Sequence, residues 1–141
     1  MSAKAASKAG RTSSNMFKTA KAFASFSVND LTKAKEFYGQ TLGLEVTQHP
    51  EGLEMKLANG LSVFLYPKPN HTPATFTVLN FPVNDIDEAV EELRNLGVSL
   101  EHYDTAEIRT DERGIMRGPG PQIAWFKDPA GNVLSVVQEK S

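Results

Sequence analysis

Cysteine is absent from this chain. That excludes disulfides, thiolate chemistry and cysteine-ligated zinc, and leaves a cytoplasmic setting as the default expectation. Histidine is scarce: His49, His71 and His102 are the whole supply. No apolar run approaches the roughly 20 residues of a membrane-spanning helix, so no membrane partner is expected. No Gly-x-Ser-x-Gly is present to build a serine nucleophile, and nothing beside Ser135 in sequence supplies it with a base. No Gly-rich phosphate loop precedes a helix. "RGPGPQ" (117–122) has proline where backbone N–H donors would be needed, and it reads instead as a mobile loop over a site.

What is present suffices for a folded body. Hydrophobic residues make up 40% of the 141 and charged residues 23%, which fits one ordinary domain or two small modules sharing a core. Charge is unevenly placed. Residues 1–21 carry Lys4, Lys8, Arg11, Lys18 and Lys21 and no acid, whereas acids outnumber bases in the remainder. An acidic body is a poor match for a polyanion, so no nucleic-acid partner is expected. The head, residues 1–15, reads as a disordered extension, with a targeting or interaction role as the alternative; it has no apolar stretch of the secretory type.

The chain contains itself twice. "FSVNDLTKAKEF" (26–37) aligns with "FPVNDIDEAVEE" (81–92) at an offset of 55 residues. Each copy follows a strand-like run and leads into a helix. Asp30 and Asp85 are placed to cap the helix N-termini, and Gly43 and Gly97 to close the C-termini in the left-handed conformation. Past each glycine come three more strand-like runs: "LEVTQ", "LEMKL" and "LSVFLY", then "VSLEHY", "QIAWF" and "VLSVV". The unit is βαβββ, with module one over 16–66, a linker over 67–74 and module two over 75–139. Each module alone has one face of a small sheet to bury, so the two must share a core.

Strand alternation separates two faces. One takes Ala24, Phe26, Val28, Val63, Leu65, Leu79, Phe81, Val83, Leu134 and Val136, and packs against Leu31, Ala34, Phe37 and Tyr38 of the first helix and Ile86, Ala89, Val90 and Leu93 of the second. The other takes Phe23, Ser25, Ser27, Ser62, Phe64, Tyr66, Val78, Asn80, Pro82, Val133, Ser135 and Val137. Aromatic groups interleaved with hydroxyls and an amide suit the lining of a small-molecule cavity. A sheet-to-sheet or dimer interface is the other reading of such a face. Trp125 and Phe126, neighbours on one strand, must point opposite ways, and either could stack on a planar ligand. His71 sits in the linker within reach of the rim, where a structural hydrogen bond or acid–base work are both open. His102 and Asp104 make two donors without a third, and His49 closes a strand.

"FSVNDLTKAKEFYGQTLGLEV" and "WFKDPAGNVLSVVQ" resemble the opening module and the closing turn-and-strand of the glyoxalase/bleomycin-resistance/dioxygenase superfamily, the vicinal oxygen chelate fold. The resemblance runs over residues 16–139. It implies an α+β fold of two tandem βαβββ modules whose sheets curl into a cup, often in a homodimer. In metal-dependent members it also implies four His, Glu or Gln ligands on the cup face. Carried over residue by residue, those four positions fall on Phe23, Phe64, Val78 and Ser135. Phe and Val have no donor, and a neutral serine hydroxyl binds divalent metals weakly. No metal and no cofactor are therefore expected.

The reading favoured is a metal-independent homodimer that binds a small apolar or planar molecule, of the drug-sequestering or resistance kind. Its expected contacts are Phe23, Phe64, Tyr66, Val78 and Trp125 by packing, and Ser25, Asn80 and Ser135 by hydrogen bonds. Two alternatives stay open: a glyoxalase- or dioxygenase-like enzyme with a nonstandard metal set, and a dimeric scaffold whose cup is filled by its own side chains.

Overall fold

The computed structural model describes residues 15–139. The expected N-terminal extension lies outside them, apart from Asn15. In chain order the elements are α1 (Met16–Thr19), β1 (Ala24–Val28), α2 (Leu31–Lys35) continuing as a π-helical stretch (Glu36–Thr41), β2 (Glu45–His49), β3 (Gly52–Lys56), β4 (Ser62–Pro67), β5 (Thr77–Pro82), α3 (Ile86–Asn95), β6 (Ile115–Met116), β7 (Gln122–Lys127) and β8 (Val133–Gln138).

The repeat seen in the sequence is a repeat of wiring. One four-stranded sheet runs β1-β4-β3-β2 and the other β5-β8-β7-β6. In each, the first strand pairs in parallel with the last, and the remaining pairs are antiparallel. The sheets do not close on each other: β1 and β5 are edge strands.

Local chemistry starts and stops the helices as expected. The Asp30 carboxylate accepts from the Lys33 amide and the Asp85 carboxylate from the Glu88 amide, both at 3.1 Å, which satisfies N–H groups that have no intrahelical partner. Gly43 and Gly97 adopt φ of +76° and +86°, a conformation that side-chain-bearing residues enter only with strain.

Both helices lay their apolar faces on the sheets. Ala34 and Tyr38 from the first helical segment and Ile86, Val90 and Leu93 from α3 are buried with Val28, Leu53, Met55, Val63, Leu65, Phe126, Leu134 and Val136 in one cluster. Burying a side chain the size of Leu65 or Ile86 is worth about 1.5–3 kcal/mol, so this cluster dominates stability. Ala24, expected on the core face, is exposed at the start of β1.

Two expectations are corrected. "VSLEHY" is not a strand. Leu100 makes only an isolated bridge to Phe126. Tyr103 spends its backbone groups locally instead: its amide donates to the Thr110 hydroxyl and its carbonyl accepts from the Thr110 amide, both at 2.9 Å. That folds residues 103–110 back on themselves, and the place beside β7 goes to Ile115–Met116. "RGPGPQ" is likewise no cover for the cup at its start. Arg117 is held by Asp87 on α3 at 2.6 Å and by Asp111 at 2.9 Å, on the helix side of the sheet.

The two modules are joined by polar contacts around one turn. Asp128 accepts from the amides of Ala130 and Asn132 on one oxygen, and from the Tyr38 hydroxyl and the Asn132 amide group on the other, at 2.7–3.0 Å. Asn132 also donates to the Ser27 carbonyl at 2.9 Å. His71 completes the junction. Its Nε2 lies 3.0 Å from the Ala130 carbonyl, which can only accept, so this nitrogen carries the proton. Nδ1 then accepts from the Ser27 hydroxyl at 2.6 Å. Both ring nitrogens are engaged, and His71 is a clamp between modules.

Candidate functional site

The face of each sheet turned away from the helices divides into three places. On module one, register puts Ser25 beside Phe64, Ser27 beside Tyr66, and Glu54 opposite Phe64. In the hairpin β2–β3, Thr47 lies opposite Glu54 and His49 opposite Gly52. A cavity of about 400 Å³ opens here, lined by Phe23, Phe64 and Leu61, by His49, Glu54 and Ser62, and by Lys21.

The polar edge of this cavity is ordered. His49 Nε2 lies 3.0 Å from Glu54 Oε1, and the Ser62 hydroxyl donates to Glu54 Oε2 at 3.1 Å. These two hydrogen bonds, His49 first, hold the Glu54 carboxyl below the ordinary carboxylate range, with a smaller contribution from the charge of Lys56. Gly52 makes the arrangement sterically workable. A Cβ there would run into the Leu65 carbonyl and stand 3.1 Å from the Phe64 ring. Without one, the ring lies against the hairpin, its centroid 6.5 Å from that of His49.

A second hollow, about 410 Å³, lies between the edge strands β1 and β5. Ser25, Tyr66, Val78 and Phe76 line it, with Asn132 from the junction turn. The third place is the corresponding face of module two, which is filled by its own side chains. Ser135 is fully buried and its hydroxyl donates to Asn80 Oδ1 at 2.5 Å. Trp125, opposite Ser135 in register, donates from Nε1 to the Thr77 hydroxyl at 3.0 Å. Tyr103 covers it edge-on at 5.5 Å. Its neighbour Phe126 is in the core, which settles the orientation of the pair.

The eight residues expected to line one site therefore divide among three. Phe23 and Phe64 share the first cavity; Ser25, Tyr66 and Val78 share the hollow between modules; Asn80, Trp125 and Ser135 share the packed face. A β-bulge explains part of this. The register of β5 on β8 skips between Thr77 and Leu79, so Thr77 rather than Val78 shares the side of Trp125. His49 closes β2 as expected, but its pairing with Glu54 was not read, because alternation was followed through the first and last strand of each module and not through the hairpin between them.

The four positions to which the resemblance carries metal ligands do not fit a metal. Phe23, Phe64 and Val78 offer no donor atom, and the Ser135 hydroxyl is buried and committed to Asn80. Among the described residues no group of three or more His, Cys, Asp or Glu side chains converges as a metal site would require. Nor is any helix among them long and apolar enough to cross a membrane.

Paired βαβββ modules with parallel first-to-last strand pairing define a class of small two-module α+β protein. The family model described as Glyoxalase/Bleomycin resistance protein/Dioxygenase superfamily matches residues 22–136, and the chain belongs to that superfamily. Solved structures with the same fold include a glyoxalase family protein from Enterococcus faecalis (24% identity, TM-score 0.60, covering 86% of this chain and 98% of that one). They also include TnmS3, an antibiotic-binding protein from Streptomyces sp. CB03234 (24%, TM-score 0.60, 86% and 98%). A third is the fosfomycin resistance protein FosX from Listeria monocytogenes (17%, TM-score 0.63, 86% and 94%). No curated protein matches the chain in sequence.

Proposed function

We propose that the protein binds a small, largely apolar or planar molecule on the cup face of module one, without a metal, and that it does so as a homodimer. The observation that carries this is the cavity of about 400 Å³ walled by Phe23, Phe64 and Leu61, where the metal-ligand positions of the family hold phenylalanine. A metal centre needs donors there; an apolar ligand needs rings. The structural likeness to an antibiotic-binding protein and to a fosfomycin resistance protein supports a role in sequestration or resistance.

The homodimer rests on exposed aromatic surface. Phe23 and Phe76 are 66% and 68% exposed in the single chain, and Leu61 and Tyr66 also stand in the open beside the two hollows. Apolar groups gathered in this way mark a face that another surface covers. A second copy laid over it would complete the walls of the cavity.

The test is a two-dimensional amide NMR titration of chelator-treated protein with a panel of planar aromatic compounds and antibiotics, alongside sedimentation. Saturable shifts at Phe23, Phe64 and their neighbours in a dimer are expected. Phe64→Glu, which places a charge in the apolar wall, should abolish them. A panel that shifts nothing on this face, or binds equally to the Phe64→Glu variant, would overturn the reading.

A further inference from the structure

The ligand class of this cavity follows from its one ordered polar edge, an inference that rests on the small-molecule reading above. His49 reaches its place from the end of β2, across the hairpin from β3, and Glu54 fixes it. A carboxylate only accepts, so the nitrogen 3.0 Å from Glu54 Oε1 carries a proton, and the neutral ring then presents Nδ1 as a lone pair. Among the described residues no hydrogen bond occupies that Nδ1. Glu54 has both oxygens engaged, by His49 and by the Ser62 hydroxyl, and these tie it into the sheet. The ring of His49 is half-exposed on the cavity side.

The lining thus offers two phenyl rings, an aliphatic side chain, the His49 ring with an uncommitted Nδ1, and Lys21. An acceptor and a cation lining one aromatic-walled cavity favour an aromatic ring whose substituent donates a hydrogen bond and carries some acidity. A ligand amine would be disfavoured by Lys21 and would find Glu54 already paired. We propose that this cavity recognises a planar aromatic compound carrying an acidic, phenol-type hydroxyl, which donates to Nδ1 of His49. Glu54 and Ser62 act as positioning residues, and Gly52 lets the Phe64 ring close beside the acceptor.

The experiment compares two probes of one shape, 1-naphthol and 1-methoxynaphthalene, on wild-type protein and on His49→Phe. The ether keeps the rings and removes the donor. Wild type should prefer 1-naphthol by about tenfold, the worth of one hydrogen bond in a partly dry site. His49→Phe should retain the ether and lose the preference. In ring-labelled wild type, the His49 Nδ1 resonance should move with 1-naphthol and stay in place with the ether, a readout that does not depend on the variant. Equal affinity of the two probes, with shifts confined to Phe23 and Phe64, would overturn the hydroxyl recognition while leaving the aromatic pocket standing. A preference that survives His49→Phe would overturn it as well. Failure of both probes to bind would remove the pocket reading and this inference together.

Discussion

The Tyr38 hydroxyl donates to the Asp128 carboxylate at 2.7 Å, across 90 residues of sequence and between the two modules. One partner comes from the helical segment of module one, the other from the turn that starts the last strand of module two. Tyr38 is buried, and burial pushes its hydroxyl pKa well above the ordinary tyrosine value, with the Asp128 charge and hydrogen bond adding to it. Folding therefore stabilises the neutral phenol. That contribution is complete below about pH 10, where a free tyrosine ionises, and is lost as pH rises beyond it. Tyr38→Phe should cost about 1–3 kcal/mol at neutral pH, because a buried carboxylate loses a donor, and should flatten the alkaline limb of the stability curve. Denaturant unfolding at pH 7 and at pH 11 checks both parts. An unchanged alkaline limb would show that the bond does not govern it.

The His71 clamp is the second tie between modules. With Nε2–H donating to the Ala130 carbonyl and Nδ1 accepting from Ser27, His71→Phe keeps the ring and deletes both bonds. A loss of about 1–2 kcal/mol is expected, together with faster amide exchange around Ala130 and Ser27. Exchange that quickens only within the linker would contradict a clamp between modules.

Ser135, a position to which the resemblance carries a metal ligand, is a packing residue with one hydrogen bond. Ser135→Ala should lower stability by about 1 kcal/mol and leave binding on module one unaltered, because Asn80 is exposed and can turn to water. Thermal unfolding and the naphthol titration on one protein preparation check this. A large fall in affinity would place Ser135 in the site after all.

At low pH, three carboxyl groups carry a common signature. Hydrogen bonding from His49 and Ser62 lowers Glu54. Arg117 lowers Asp87 by hydrogen bond and charge. Asp111, partly desolvated, is lowered on balance by Arg117 and by the amides of Ile115 and Arg113. A depressed carboxyl stabilises the fold above its unfolded pKa of about 4, and that stability is lost as pH falls through the folded value. Stability should therefore fall below about pH 4. Arg117→Met should shrink the acid-dependent part, since one residue serves both aspartates. All three groups are largely solvated, so high salt should reduce the effect.

Much of the fold was legible because it is written locally. Asp30 and Asp85 cap the helices they precede, Gly43 and Gly97 close them, and the repeated Val-Asn-Asp announces a repeated unit. Helical spacing identified Tyr38 as core, but its partner Asp128 could not be read, because the contact depends on how the modules dock. Three other features depend on register, which a strand pattern leaves open. The bulge at Val78 moves Thr77 to the Trp125 side. The self-bonded loop at Tyr103 and Thr110 takes "VSLEHY" out of the sheet. The hairpin brings His49 to Glu54. The proposed site was accordingly legible as a face and not as a set of residues in contact.

Gly52 offers a narrow test of how the cavity is built. A Cβ at this position collides with the Leu65 carbonyl and presses on the Phe64 ring, so Gly52→Ala should cost about 1–3 kcal/mol and weaken 1-naphthol binding with it. Chemical denaturation and the same titration check both. Retained affinity in a destabilised variant would separate the Phe64 ring from binding.

The central question is whether the module-one cavity takes an aromatic ligand without a metal. The direct measurement is calorimetric titration of 1-naphthol into protein stripped by chelator, then into the same protein reloaded with zinc, manganese or iron. Equal affinity before and after reloading, abolished by Phe64→Glu, is the predicted result. Binding that appears only on metal addition, or that survives Phe64→Glu, would contradict it.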